Sequence, residues 1–153
     1  MSVSNNPNIT LSTYALGSCV AVIGYDAAMR AGGLLHLMLP DSKLSPDKAI
    51  SQPAMFADTG LPLLLRALAG LKSNTTRMRW FVAGGASVLC ANDNFRIGER
   101  NIRAITEQFT KFNLRWHQAA LGGTINRTVH LNVGTGNITL KTPESNDTWS
   151  LAA

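Results

Sequence analysis

A mixed α/β fold, one domain whose helices cover a largely antiparallel or mixed sheet, is predicted by three features of this sequence. Short apolar runs bounded by turn residues open the chain at 9–15, 19–23 and 34–39. A strongly amphipathic segment occupies 98–112, and strand-like segments at 114–121, 127–133 and 137–142 close the chain. Strands first, then helix, strand, helix and a run of strands make the pattern of helices packed on a sheet.

Residues 1–8, which include Asn5-Asn6-Pro7-Asn8, read as a flexible terminus. Ile9 to Ala15 alternates Thr with apolar residues and is β-branched, so it reads as a first strand. Gly17-Ser18 forces a turn. Cys19 to Ile23 and Leu34 to Leu39, the second closed by Pro40, are buried strands joined by a hairpin or short loop over 26–33. Residues 41–53 are polar and hold Pro46 and Pro53, which predicts an exposed loop beside the end of the His36 strand, a position that often frames a site.

From Ala54 to Leu71 the pattern turns helical, with Met55, Leu64, Leu65, Leu68 and Leu71 inward. Gly60 and Pro62 predict a kink or a break near Leu61. Arg79 to Ala83 is strand-like and ends at Gly84-Gly85. In the helix at 98–112, Ile102, Ile105, Phe109 and Phe112 share one face, and Glu99 with Arg103 and Glu107 with Lys111 form i,i+4 pairs. Gly134-Thr135-Gly136 joins the last two strands as a hairpin.

With 153 residues the chain is long enough to bury an ordinary core without disulfides or metal. Its 45% hydrophobic and 15% charged content excludes disorder. No Lys or Arg occurs among the first fifteen residues, so no secretory signal is read and cytoplasmic residence is expected. The longest nearly apolar stretch, Tyr14 to Tyr25, falls short of the ~20 residues that span a bilayer, so no membrane insertion is expected. Cys19 and Cys90 read as free thiols in a reducing compartment. The net charge of +5 favours an acidic partner without naming one.

The chemistry centres on Thr13-Tyr14-Ala15-Leu16-Gly17-Ser18-Cys19-Val20 and on His36 in the next strand. A cysteine is most often a small buried hydrophobe. Cys19, however, follows Gly17-Ser18, where backbone N–H groups can point at a ligand and stabilise a thiolate or an oxyanion. If the two strands are neighbours, the His36 imidazole can meet the thiol and lower its pKa by forming an ion pair. Thr13, on the strand leading into the turn, can share that site. Cys90, beside Asn92-Asp93-Asn94 with no such turn before it, reads as incidental.

A zinc site built from Cys19, Cys90, His36, His117 and His130 lacks the close ligand spacing of the usual zinc motifs. Gly84-Gly85 and Gly122-Gly123 lack a nucleotide-binding context. Arg96, Arg100 and Arg103 have no interleaved aromatic residues, so they read as a solvated helix face and nucleic acid is not an expected partner.

In order along the chain stand Thr13 with Leu16 to Val20 (T-x-x-LGSCV), His36 to Pro40 (HLMLP) and Phe56-Ala57-Asp58-Thr59. Ala83 to Ser87 (AGGAS), Ile97 to Asn101 (IGERN) and Gly122-Gly123 follow. This ordered set resembles the CheD family of bacterial chemoreceptor glutamine deamidases, and the combination is far more specific than any one motif. The resemblance implies a mixed α/β fold that shares its active-site plan with bacterial toxin deamidases. It also implies a Cys-His-Thr site converting chosen receptor glutamines to glutamate, with Cys19 as nucleophile, His36 as general base and acid, and Thr13 orienting the histidine. Gly17 and Ser18 would frame the oxyanion, and no cofactor or metal is required. Methyl-accepting chemotaxis receptors are the implied protein substrate, and a CheC-type phosphatase is an implied further partner. A non-catalytic adaptor that binds the same partners, with Cys19 merely structural, is the alternative. Three departures from the family pattern stand out: an N-terminal strand that is absent or shortened, Gly60-Leu61-Pro62 within the helix, and a short tail after Lys141.

Overall fold

The computed structural model describes residues 1–87 and 95–152. The two apolar runs on either side of Asp26 form a hairpin of β3 (Val20–Asp26) and β4 (Ala31–Leu37), antiparallel with Ala21 opposite His36 and Val22 opposite Leu35. β1 (Ser2–Ser4) adds to the outer edge of β4, and β5 (Arg79–Gly84) pairs with the other side of β3. β6 (Gln118–Leu121) runs parallel to β5 after the crossover helix α3 (Ile97–Lys111), giving a five-stranded mixed sheet in the order β1-β4-β3-β5-β6. A second, antiparallel sheet holds β2 (Thr10–Leu16), β7 (Arg127–Asn132), β8 (Asn137–Lys141) and β9 (Asn146–Ser150) in that order.

The class is mixed α/β as predicted, but there are two sheets instead of one. β3 explains why its sequence shows no alternation: it is buried on both faces, and a strand covered twice reads as a continuous apolar run. Ala21, Ile23 and Tyr25 face the second sheet, in a core with Leu11, Leu16, Val129, Leu131 and Ile138. Val20 and Val22 face the helices, in a core with Leu61, Leu64, Leu68, Ile105 and Phe109. β2 therefore supplies a roof over the hairpin, and the site lies between the two sheets.

Several expectations are corrected. The first eight residues do not form a featureless end: Ser2–Ser4 pairs with Gly32 to Leu34, so an N-terminal edge strand is present. Residues 41–53 contain 3-10 turns at Ser42–Leu44 and Pro53–Met55 and the short helix α1 (Pro46–Ser51). Helix α2 (Ala57–Gly70) runs through Pro62 without a break. Pro62 falls in the second turn, where it removes one helical bond near the N-terminus, and the buried stripe of Ala57, Gly60, Leu61, Leu64 and Leu68 holds the helix on the sheet regardless. On α3 the Glu99–Arg103 pair forms at 3.6 Å, whereas Lys111 lies over the Phe112 ring instead of pairing with Glu107. Beyond Lys141 the chain makes β9, whose Trp149 packs on Phe81.

Asp26 closes the hairpin that carries the site. Its fully buried carboxylate accepts from the Ala28 and Asn74 backbone N–H groups and from the Arg77 guanidinium at 2.8 Å. Burial pushes the Asp26 carboxyl up, but the hydrogen bonds from Arg77 and Asn74 outweigh it and leave the group below its usual 3.8. Arg77→Ala strips the charged partner from a buried anion while the backbone N–H donors remain, so a loss of about 2 kcal/mol is expected. A group depressed in the folded state stabilises fully above its unfolded value, and the stabilisation fades as pH falls through the lower folded one. Denaturant titrations should therefore separate wild type and variant at neutral pH and bring them together in strong acid.

Candidate active site

β2 ends in distorted backbone. Its register with β7 shifts between Thr13 and Leu16, and Ala15 adopts a left-handed φ of 54°. Such a bulge re-aims side chains at the end of a pairing. Thr13 points inward and is buried, and its Oγ1 lies 2.7 Å from His36 Nδ1 on β4, so one hydrogen bond joins the two sheets. Cys19 directly precedes β3. Val20 opposes Leu37, which sets Cys19 opposite Met38, on the same face as Ala21 and diagonal to His36. Diagonal positions across an antiparallel pair lie roughly 7–8 Å apart between Cα atoms, within reach of side chains. The half-buried Cys19 packs against the core between the sheets. The elements thus bring Thr13, Cys19 and His36 to one face.

Three carbonyls of the turn that carries the thiol are tied down, while the Gly17 N–H donates back to Ala15 O. Gly17 O accepts from Ala86 N–H, Cys19 O accepts from Gly85 N–H, and Ser18 O accepts from Asn101 Nδ2. Among the described residues neither Ser18 nor Cys19 donates its N–H to another backbone carbonyl, and the Cys19 N–H is turned toward its own sulfur. Burial raises the Cys19 thiol above its ordinary 9.0, with its own backbone N–H pulling it back in part. Burial lowers the His36 imidazole below 6.5, and the chain's N-terminal ammonium adds to that. Both shifts favour neutral forms. Desolvation thus opposes the charge separation that an ion pair between the two groups would need.

The remaining candidates are dispersed. His130 lies on the outward face of the second sheet, 2.7 Å from Ser12 Oγ and edge-on to Tyr14, so adjacent residues of β2 hold two histidines on opposite faces. His117 Nδ1 accepts from Trp80 N–H beside the start of β6. Cys90 lies outside the described residues. A hydroxyl–imidazole pair alone does not make the site, since Ser12–His130 has no thiol on its face among the described residues.

Three residues that build the turn were not among the candidate site residues. Gly84 has φ +109°, and a Cβ there would run into the Cys19 carbonyl oxygen. A Cβ on Gly98 would come within 2.5 Å of Gly85 O, so α3 approaches the glycine turn as only glycine allows. Asn101 is fully buried and donates to Ser18 O and Met38 O. Their signal was present in AGGAS and IGERN, as short motifs without catalytic residue types.

Residues 38–142 match the profile of the family described as CheD chemotactic sensory transduction. The chain belongs to the CheD family. That match begins at Met38, after Thr13, Cys19 and His36, but CheD relatives align over nearly the whole chain. The "Probable chemoreceptor glutamine deamidase CheD 1" of Syntrophus aciditrophicus (strain SB) is 49% identical over 139 residues, covering 91% of this chain and 87% of the relative. The "Probable chemoreceptor glutamine deamidase CheD" of Solibacter usitatus (strain Ellin6076) is 41% identical over 139 residues, with 91% and 82% covered. The CheD relative of the same description from Methanococcus vannielii is 40% identical over 127 residues, with 82% and 80% covered. Among the described residues of this CheD chain, no helix is long and apolar enough to cross a membrane.

Proposed function

We propose that this chain is a protein-glutamine deamidase acting on chemoreceptors, with Cys19, His36 and Thr13 as its working residues. The observation that carries the reading is the Thr13–His36 hydrogen bond, which fixes an imidazole on the face that presents a half-buried thiol. With Nδ1–H donating to Thr13 Oγ1, Nε2 is left basic and free to take the thiol proton. Cys19 Sγ then attacks the glutamine side-chain carbonyl carbon. The Ser18 and Cys19 N–H groups, whose carbonyls are tied down behind them, hold the developing oxyanion.

The imidazolium returns its proton to the departing nitrogen, the C–N bond breaks, and ammonia leaves behind a thioester. Water, deprotonated by the same imidazole, attacks that thioester; the C–S bond breaks, the thiol recovers its proton, and glutamate is released. No step needs a cofactor. A neutral amide becomes an anion, which changes the charge of a receptor helix bundle and so its packing. The CheD relatives named as chemoreceptor glutamine deamidases support this substrate, and the reading places the enzyme in the cytoplasm with a CheC-type phosphatase as a second protein partner.

Incubating the protein with chemoreceptor cytoplasmic fragments and following ammonia together with the small mass gain of amide-to-acid conversion tests the reading. Unmodified receptor glutamines and no ammonia would reject it. The pH dependence is a separate expectation. Because His36 titrates below 6.5, kcat/KM should reach its plateau on the acid side of neutrality. Because the Cys19 thiol sits above 9.0, its alkylation by iodoacetamide should still be rising there. An alkylation rate that levels off near neutral pH would mean a preformed thiolate and a different resting state.

A further inference from the structure

We infer that Asn101 is a positioning residue that aims the Cys19 backbone N–H at the reacting carbonyl oxygen; this rests on the deamidase reading above. Asn101 lies on α3, far in sequence from both catalytic strands, and is fully buried. Its side-chain Nδ2 is 3.0 Å from Ser18 O and 3.0 Å from Met38 O. Both partners are carbonyls and accept only, so the amide can be placed in one way, with NH2 toward them. Its Oδ1 is then buried, with no partner among the described residues.

The consequence follows from peptide geometry. Ser18 C=O and Cys19 N–H belong to one peptide plane, which is trans, so the two groups point in opposite directions. Drawing Ser18 O down onto α3 turns Cys19 N–H up toward the thiol face. The Gly17 carbonyl, bonded to Ala86 N–H, fixes the Ser18 N–H by the same relation. Met38 O belongs to the residue opposite Cys19 and two beyond His36, so the second bond ties the nucleophile turn to the histidine strand. One amide therefore sets both the direction of an oxyanion donor and the spacing of thiol to base. No side chain with a single donor can make both bonds.

Asn101→Ala should lower kcat about 10²-fold, the scale of losing one oxyanion donor, with KM within about twofold, since the receptor is not touched. Asn101→Asp adds a readout that packing alone would not move. Ionised, its carboxylate repels both carbonyls; protonated, it donates to one of them, and burial among carbonyl oxygens raises its pKa. The ratio of Asn101→Asp to wild-type kcat should rise as pH falls from about 8 to about 6. A folded Asn101→Ala with kcat within about threefold of wild type overturns the proposal. So does a pH-independent Asn101→Asp ratio, or loss of folding in both variants, which would assign Asn101 to stability alone. Wild-type protein that releases no ammonia fails the deamidase reading itself, whereas a Cys19-dependent wild type with an indifferent Asn101→Ala fails only this inference.

Discussion

Cys19→Ala is expected to abolish ammonia release from receptor glutamines while leaving the fold and receptor binding in place. In a covalent mechanism the nucleophile and its base act as a unit, and removing either costs on the order of 10⁶ in kcat. Little stability is at stake, because Cys19 is half-buried at the rim of the core between the sheets and truncation to Ala deletes one sulfur there. Cys19→Ser should be nearly as inactive. A neutral imidazole whose pKa burial has lowered is a poor base for a hydroxyl, which is far less acidic than a thiol. Ammonia electrode readings, receptor pull-down and a thermal melt on the same variants separate three outcomes. Inactive, bound and folded supports the thiol mechanism. Unchanged ammonia release eliminates it, and an unfolded variant makes Cys19 a structural residue. The adaptor alternative requires binding without any Cys19-dependent ammonia in the wild type.

The sequence exposed the residues with reactive groups and left their scaffold silent, and the reason is physical. β3 and β4 were legible because apolar runs bounded by Asp26 and Pro40 have few other ways to be buried. Thr13 was legible only through its position before the Gly17-Ser18 turn. Its 2.7 Å bond to His36 is made between two sheets, and no local pattern encodes which strand roofs which. The second sheet was missed for the same reason: β2 pairs with β7, more than a hundred residues later, and nothing in Ile9 to Ala15 names that partner. Pro62 does not break the helix because the tertiary face of α2, invisible to a local reading, holds it on the sheet. Burial of Cys19 and His36, which disfavours the charged form of each, is likewise a tertiary property that no local pattern encodes. Asn101 and Gly84 act through backbone carbonyls, so their importance shows only once the turn they hold has a shape.

Gly84→Ala carries the other large expected effect, and it can be separated from ordinary strain by a control within the same chain. At φ +109° an alanine occupies a region that essentially only glycine uses, at a cost of roughly 1–3 kcal/mol. Its Cβ would also meet the Cys19 carbonyl oxygen, a backbone atom that can yield only if the nucleophile turn moves. That carbonyl is the acceptor for Gly85 N–H, so the movement breaks the bond that seats the turn. A misplacement near 1 Å is worth about 10²-fold in rate. Gly122 is the control: it too has positive φ, +71°, but a Cβ there meets nothing within 4 Å. Gly122→Ala should therefore cost only the left-handed penalty of about 1–2 kcal/mol. Comparing the two variants by denaturant titration and by kcat at a temperature where both are folded isolates the collision with Cys19. Equal losses of rate in the two would show that the turn's seat on Gly84 and Gly85 has no part in catalysis. A Gly84→Ala variant that is folded, slow and still alkylated at Cys19 would show a thiol that is present and reactive but displaced from its base.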